Sequence, residues 1–63
     1  MSIERLLIRE NCLLLVFHTK ENSYQYEILF TNGATIVSRQ IYYSEVQAYR
    51  KGIDMIELVL DRQ

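Results

Sequence analysis

Hydrophobic and polar positions change their period along this chain, and the changes mark its elements. From Cys12 to Thr19 the run CLLLVFHT is short and almost wholly apolar. As a strand it carries Leu13, Leu15 and Phe17 on one face and Leu14 and Val16 on the other. A polar turn, KENS, follows. In YQYEILF the alternation has period two: Tyr24, Tyr26, Ile28 and Phe30 share one face, and Gln25, Glu27 and Leu29 share the other. Asn32-Gly33 then predicts a hairpin with a type I′ turn, which needs positive φ at both central residues. The return strand is ATIVSRQIYY, residues 34–43. Residues 1–11 read two ways. Ser2, Ile3, Leu6 and Leu7 fit one or two helical turns, while RLLIR fits a strand that turns at Glu10-Asn11 into CLLLV.

At Ser44 the period changes to that of a helix. Ser44 and Gln47 have the Ser-x-x-Gln spacing of a capping box, in which each side chain satisfies a free backbone donor. The helix is expected from Glu45 to Leu60, within a unit spanning 44–61. Val46, Ala48, Tyr49, Ile53, Met55, Ile56, Val59 and Leu60 sweep about half its circumference, at 100° per residue. Arg50, Asp54, Glu57 and Asp61 hold the opposite side, with Arg50 and Asp54 spaced for an i,i+4 ion pair. Gly52 lies inside the apolar arc, where glycine costs roughly 1 kcal/mol relative to alanine. Its placement predicts close approach of the sheet or of a second helix.

The order of these signals resembles the YegP-like family of small bacterial proteins. The likeness is carried by YQYEILFTNGATIVS, a strand, an Asn-Gly turn and a returning strand with a serine, and by YSEVQAYRKGI, ending in a Gly-Ile pair. It covers residues 24–56. This chain departs from the pattern by one extra residue between Gly33 and Gly52, which suits a bulge near Ile41-Tyr42, by an N-terminal extension, and by ELVLDRQ at the C-terminus. The resemblance implies a three-stranded antiparallel sheet with one helix, paired into a two-unit assembly. It implies no activity, because the family has none assigned.

Size points the same way. The chain has 63 residues, 49% of them hydrophobic, which excludes intrinsic disorder. A domain of about 60 residues buries only about 60% of its unfolded surface and needs a disulfide, a metal or a partner. A single cysteine, Cys12, rules out an internal disulfide and fits a reducing, cytoplasmic setting. One helix covers one face of a sheet, yet the Cys12–Thr19 strand is apolar on both. The expected fold is therefore α+β, a three- or four-stranded antiparallel sheet followed by one C-terminal helix. A homodimer is expected to cover the excess, by edge pairing or by helices over a shared sheet; the rival is burial by the N-terminal segment.

Chemistry is sparse. Cys12 and His18 share a strand face but stand roughly 20 Å apart, too far for one ion. The helix carboxylates sit on a convex surface, unsuited to paired acid–base work. No phosphate loop is present, and Gly33 belongs to its turn. We expect no catalytic residues, cofactor or metal. A net charge of −1 gives no attraction for membrane or nucleic acid, and Lys20, Arg39, Arg50, Lys51 and Arg62 are dispersed among acids. The five tyrosines stand out: Tyr24, Tyr26, Tyr42, Tyr43 and Tyr49 suit sheet packing, or a contact surface for another protein. The leading expectation is a small homodimeric interaction module with these tyrosines as its surface, and Asn32, Gly33, Ser44 and Gly52 as structural positions. The alternative is a nucleic-acid-binding accessory protein that uses the three-stranded sheet.

Overall fold

The computed structural model describes residues 2–61. Four strands, β1 (Ser2–Ile8), β2 (Cys12–Lys20), β3 (Ser23–Phe30) and β4 (Thr35–Val37), form one antiparallel sheet in the order β1-β2-β3-β4. One C-terminal helix, α1 (Glu45–Asp61), lies across β2 and β3 and meets β1 more lightly. The fold is thus α+β, in two layers. Of the N-terminal segment, Ser2–Ile8 takes the strand reading, because the outer edge of β2 offers backbone groups that it pairs with; Met1 lies outside the described residues. Arg62, one of the dispersed cations, lies outside the described residues.

The core lies between the helix and one face of the sheet. Cys12, Leu14 and Val16 of β2, Tyr26 and Ile28 of β3, Tyr42, and Ala48 and Ile56 of α1 are all buried. Gly52 completes a buried i,i+4,i+8 stripe with Ala48 and Ile56. A Cβ built on Gly52 would stand 2.6 Å from Leu14 Cδ1, so the expected close approach is that of a sheet side chain. At the helix start, the Gln47 N–H donates to Ser44 Oγ at 3.1 Å, the serine half of the expected capping box; among the described residues the Gln47 side chain does not return a bond to the Ser44 N–H.

One turn and one strand differ from expectation. The β3–β4 hairpin is not type I′: Gly33 has φ of +94°, but Asn32 keeps negative φ. The Gly33 N–H donates to the Phe30 carbonyl and the Phe30 N–H to the Ala34 carbonyl, both at 2.9 Å. This is a three-residue loop with glycine in the left-handed position, and Asn32 Oδ1 accepts from the Ala34 N–H at 3.0 Å. Asparagine serves here as an acceptor and leaves the left-handed role to glycine.

The return strand is also shorter than its alternation suggests. It pairs through Val37↔Glu27, breaks, and rejoins at Tyr42↔Tyr24 with two residues more than β3 between those pairs. Buried Ser38 causes the break. Its Oγ takes the Tyr26 N–H at 3.1 Å and donates to the Gln40 carbonyl at 3.2 Å, curling the chain outward over Arg39–Ile41. The bulge expected near Ile41-Tyr42 falls on this excursion.

Candidate interaction surface

Among the described residues nothing covers the sheet face away from the helix, and register fixes what it presents. Three rows cross it: Ile8–Leu13–Leu29–Thr35, Leu6–Leu15–Glu27–Val37, and Ile3–Phe17–Gln25. The β1–β2 half of every row is apolar, and polar side chains enter only at β3 and β4. Ile3, Leu6 and Ile8 are 63%, 52% and 73% exposed, while Leu13, Leu15, Phe17 and Leu29 are half-buried by their neighbours. At one end of the sheet Ile8, Leu13 and Leu29 of this face join Arg9, Cys12, Phe30 and Thr31 in lining a shallow depression, so a cation borders the apolar block there. Pairing β1 beside β2 has widened this face: the N-terminal segment adds three apolar side chains to it and covers none.

The edges of the sheet are blunted. β1 carries a one-residue bulge at Glu4, between the Ile3↔Phe17 and Arg5↔Val16 pairs. Bulges and charged side chains are the usual guards against edge-to-edge pairing. Glu4 accepts from Ser2 Oγ at 2.7 Å, and the bulge turns Arg5 to the helix side. There the Arg5 Nε lies 2.9 Å from Glu45 Oε2, and its guanidinium sits 4.6 Å above the Tyr49 ring. This clamp ties the outermost strand to the first turn of α1. The opposite edge, β4, is only three residues long.

The five tyrosines do not make one surface. Tyr26 and Tyr42 are buried, 4% and 8% exposed, with rings stacked 6.2 Å apart. Burial, and beside it the Tyr42 phenol, pushes the Tyr26 hydroxyl above its ordinary pKa. Tyr24 is half-buried against His18, with ring centroids 5.0 Å apart, and Tyr49 is held under Arg5. Tyr43 alone is well exposed, at 75%, beside Ile41 on the loop leading into α1. None of the five occupies a row of the uncovered face. The signal for that face was in the sequence, in a β2 run apolar on both sides, but the residues that complete it on β1 had no such marker.

Cys12 is a buried free thiol and His18 lies six residues along the same strand. Among the described residues no three His, Cys, Asp or Glu side chains gather as metal ligands would. The described ion pairs consist of Arg5–Glu45, so Arg50 and Asp54, both exposed, do not form the contact their spacing allows. Solvent competes for exposed helix pairs, which contribute only a few tenths of a kcal/mol, about 0.3–0.5. No helix among the described residues is long and apolar enough to cross a membrane. None of the uncovered rows contains a lysine or arginine. Comparison with protein-family models, curated proteins and solved structures gives no match to this chain.

Proposed function

We propose that the protein is a small homodimeric interaction module of the cytoplasm, non-enzymatic, and a remote relative of the YegP-like pattern it resembles. The observation that carries this reading is the uncovered apolar half-sheet. Fully burying an aliphatic side chain contributes about 1.5–3 kcal/mol, so Ile3, Leu6 and Ile8 at their observed exposures leave roughly 1–2 kcal/mol each unrealised. Counted in both copies of a pair, that is on the order of 10 kcal/mol, against an association cost of about 4–15 kcal/mol. The two magnitudes are comparable, so the assembly is reversible and depends on concentration. The absence of basic side chains on these rows weighs against the nucleic-acid reading, since phosphate contact needs lysine or arginine.

Light scattering coupled to size exclusion, repeated over a dilution series, tests the pairing. The expected mass is near twice the 7.5 kDa chain at high concentration and falls on dilution. A mass of one chain throughout, up to several hundred micromolar, overturns the reading. Salt-dependent retention of duplex or single-stranded DNA would support the alternative instead.

A further inference from the structure

We infer that the occupant of the uncovered face is a second copy of this chain, stacked sheet on sheet through the β1–β2 half and offset so that β3 overhangs. The inference rests on the pairing proposed above and assigns it a surface and a register.

Edge pairing and pairing through the charged side of α1 each meet an obstacle. Edge pairing at β1 meets the Glu4 bulge, and edge pairing at β4 offers a ladder of three residues. Pairing through the outer side of α1 would desolvate Arg50, Asp54, Glu57 and Asp61, all exposed and charged. The uncovered face has no such obstacle. Its β1–β2 block of Ile3, Leu6, Ile8, Leu13, Leu15 and Phe17 contains no polar side-chain atom, so it is complementary to itself without charge matching. Two sheets of the same twist pack face to face about 10 Å apart, their strands crossing near 30°.

Glu27 sets the register. It lies in the central row, beside Leu15 and two strands from Leu6. A two-fold axis across the strands at this row would bring two Glu27 carboxylates together inside an apolar layer, where like charges repel strongly. An axis along the strands, between β1 and β2, lays β1 of each copy over β2 of the other. β3 then projects past the β1 edge of the other copy, and Glu27 and Gln25 remain in water. The footprint is modest. The β1–β2 half of the face, up to nine residues long and two strands wide, measures about 30 by 10 Å. A pair therefore covers on the order of 600 Å² in total, in the range of weak, transient contacts, in keeping with a reversible assembly.

Leu6→Lys and Ile8→Lys test the surface, because both positions are more than half exposed in the single chain and neither is needed for its core. Each variant, checked for unchanged far-ultraviolet circular dichroism, is expected to raise the dimer dissociation constant at least about a hundredfold. Val46→Lys, about as exposed as Leu6 but on the helix, is expected to leave it unchanged. Glu27→Gln is expected to change it less than about threefold, since the offset register keeps that residue solvated. If the wild-type chain is a dimer and both lysine variants remain dimers, the surface assignment fails while the pairing stands. If Glu27→Gln tightens the dimer more than tenfold, the offset register is wrong. A wild-type chain that stays monomeric and sediments with phosphatidylcholine vesicles overturns both, and assigns the face to lipid.

Discussion

Replacing Gly52 by alanine sets two effects of known size against each other. Alanine stabilises a helix interior by roughly 1 kcal/mol relative to glycine. The added Cβ, however, would lie 2.6 Å from Leu14 Cδ1 and 3.2 Å from Cδ2, against an ordinary carbon contact of about 3.5–4.0 Å. Leu14 must therefore withdraw by about 1 Å. It has nowhere to go, because Leu14 is fully buried in a core shared with Val16, Ile28 and Ile56, all at or near zero exposure. Overpacking of this kind costs about 1–3 kcal/mol, so the net expectation is a loss of about 0–2 kcal/mol. For a domain this size the whole stability is on the order of 3–9 kcal/mol, so the loss is measurable. The decisive assay is a double-mutant cycle with Leu14→Ala, by urea denaturation at one fixed protein concentration. Alone, Leu14→Ala should cost about 2–5 kcal/mol; in the Gly52→Ala background it should cost at least 1 kcal/mol less, because the strain is relieved. Additivity within about 0.5 kcal/mol would refute the steric account, as would a Gly52→Ala single variant that gains the full helix-propensity increment.

Two other expectations follow from the polar interior. Ser38→Ala leaves the buried Tyr26 N–H without its acceptor and should destabilise the fold by about 1–3 kcal/mol, whereas Ser44→Ala, an exposed cap, should cost about 1 kcal/mol; urea midpoints separate the two. Tyr26 holds its proton more tightly in the folded state than in the unfolded chain, so the unfolded state loses protons first as pH rises. Stability should be level below the ordinary tyrosine pKa near 10 and fall above it, by at most about 1.4 kcal/mol per pH unit from this group. Tyr26→Phe should flatten that fall, read by thermal melts between pH 8 and 11.

Much of the fold was legible because the periods of its elements differ. The alternation of YQYEILF, the Ser44 cap and the glycine inside the apolar arc each have one structural meaning, and the structure gives it to them. The return strand ends at Val37 and does not run on to Tyr43; alternation counts side chains and cannot show that Ser38 takes a backbone donor in place of a carbonyl. The side of the sheet that receives the helix was hidden for a different reason. β2 is apolar on both faces, so Leu14 and Leu15 looked equivalent. What separates them is the notch at Gly52, which accepts Leu14, and that is a relation between distant segments. The same ambiguity explains the tyrosines. Period two correctly grouped Tyr24 with Tyr26, but whether that face meets solvent or helix depended on the choice at β2. Once the helix took it, Tyr26 and Tyr42 became core, and the surface in need of a partner moved to the opposite side.

The most direct test of that assignment is a filtered nuclear Overhauser experiment on a mixture of isotope-labelled and unlabelled chains. Contacts between methyl groups of Leu6 or Ile8 on one copy and Leu13 or Leu15 on the other are predicted, with none to Val59 or Leu60 of the helix. Intermolecular contacts confined to the helix or to the loop around Tyr43, with the β1–β2 methyls silent, would contradict it.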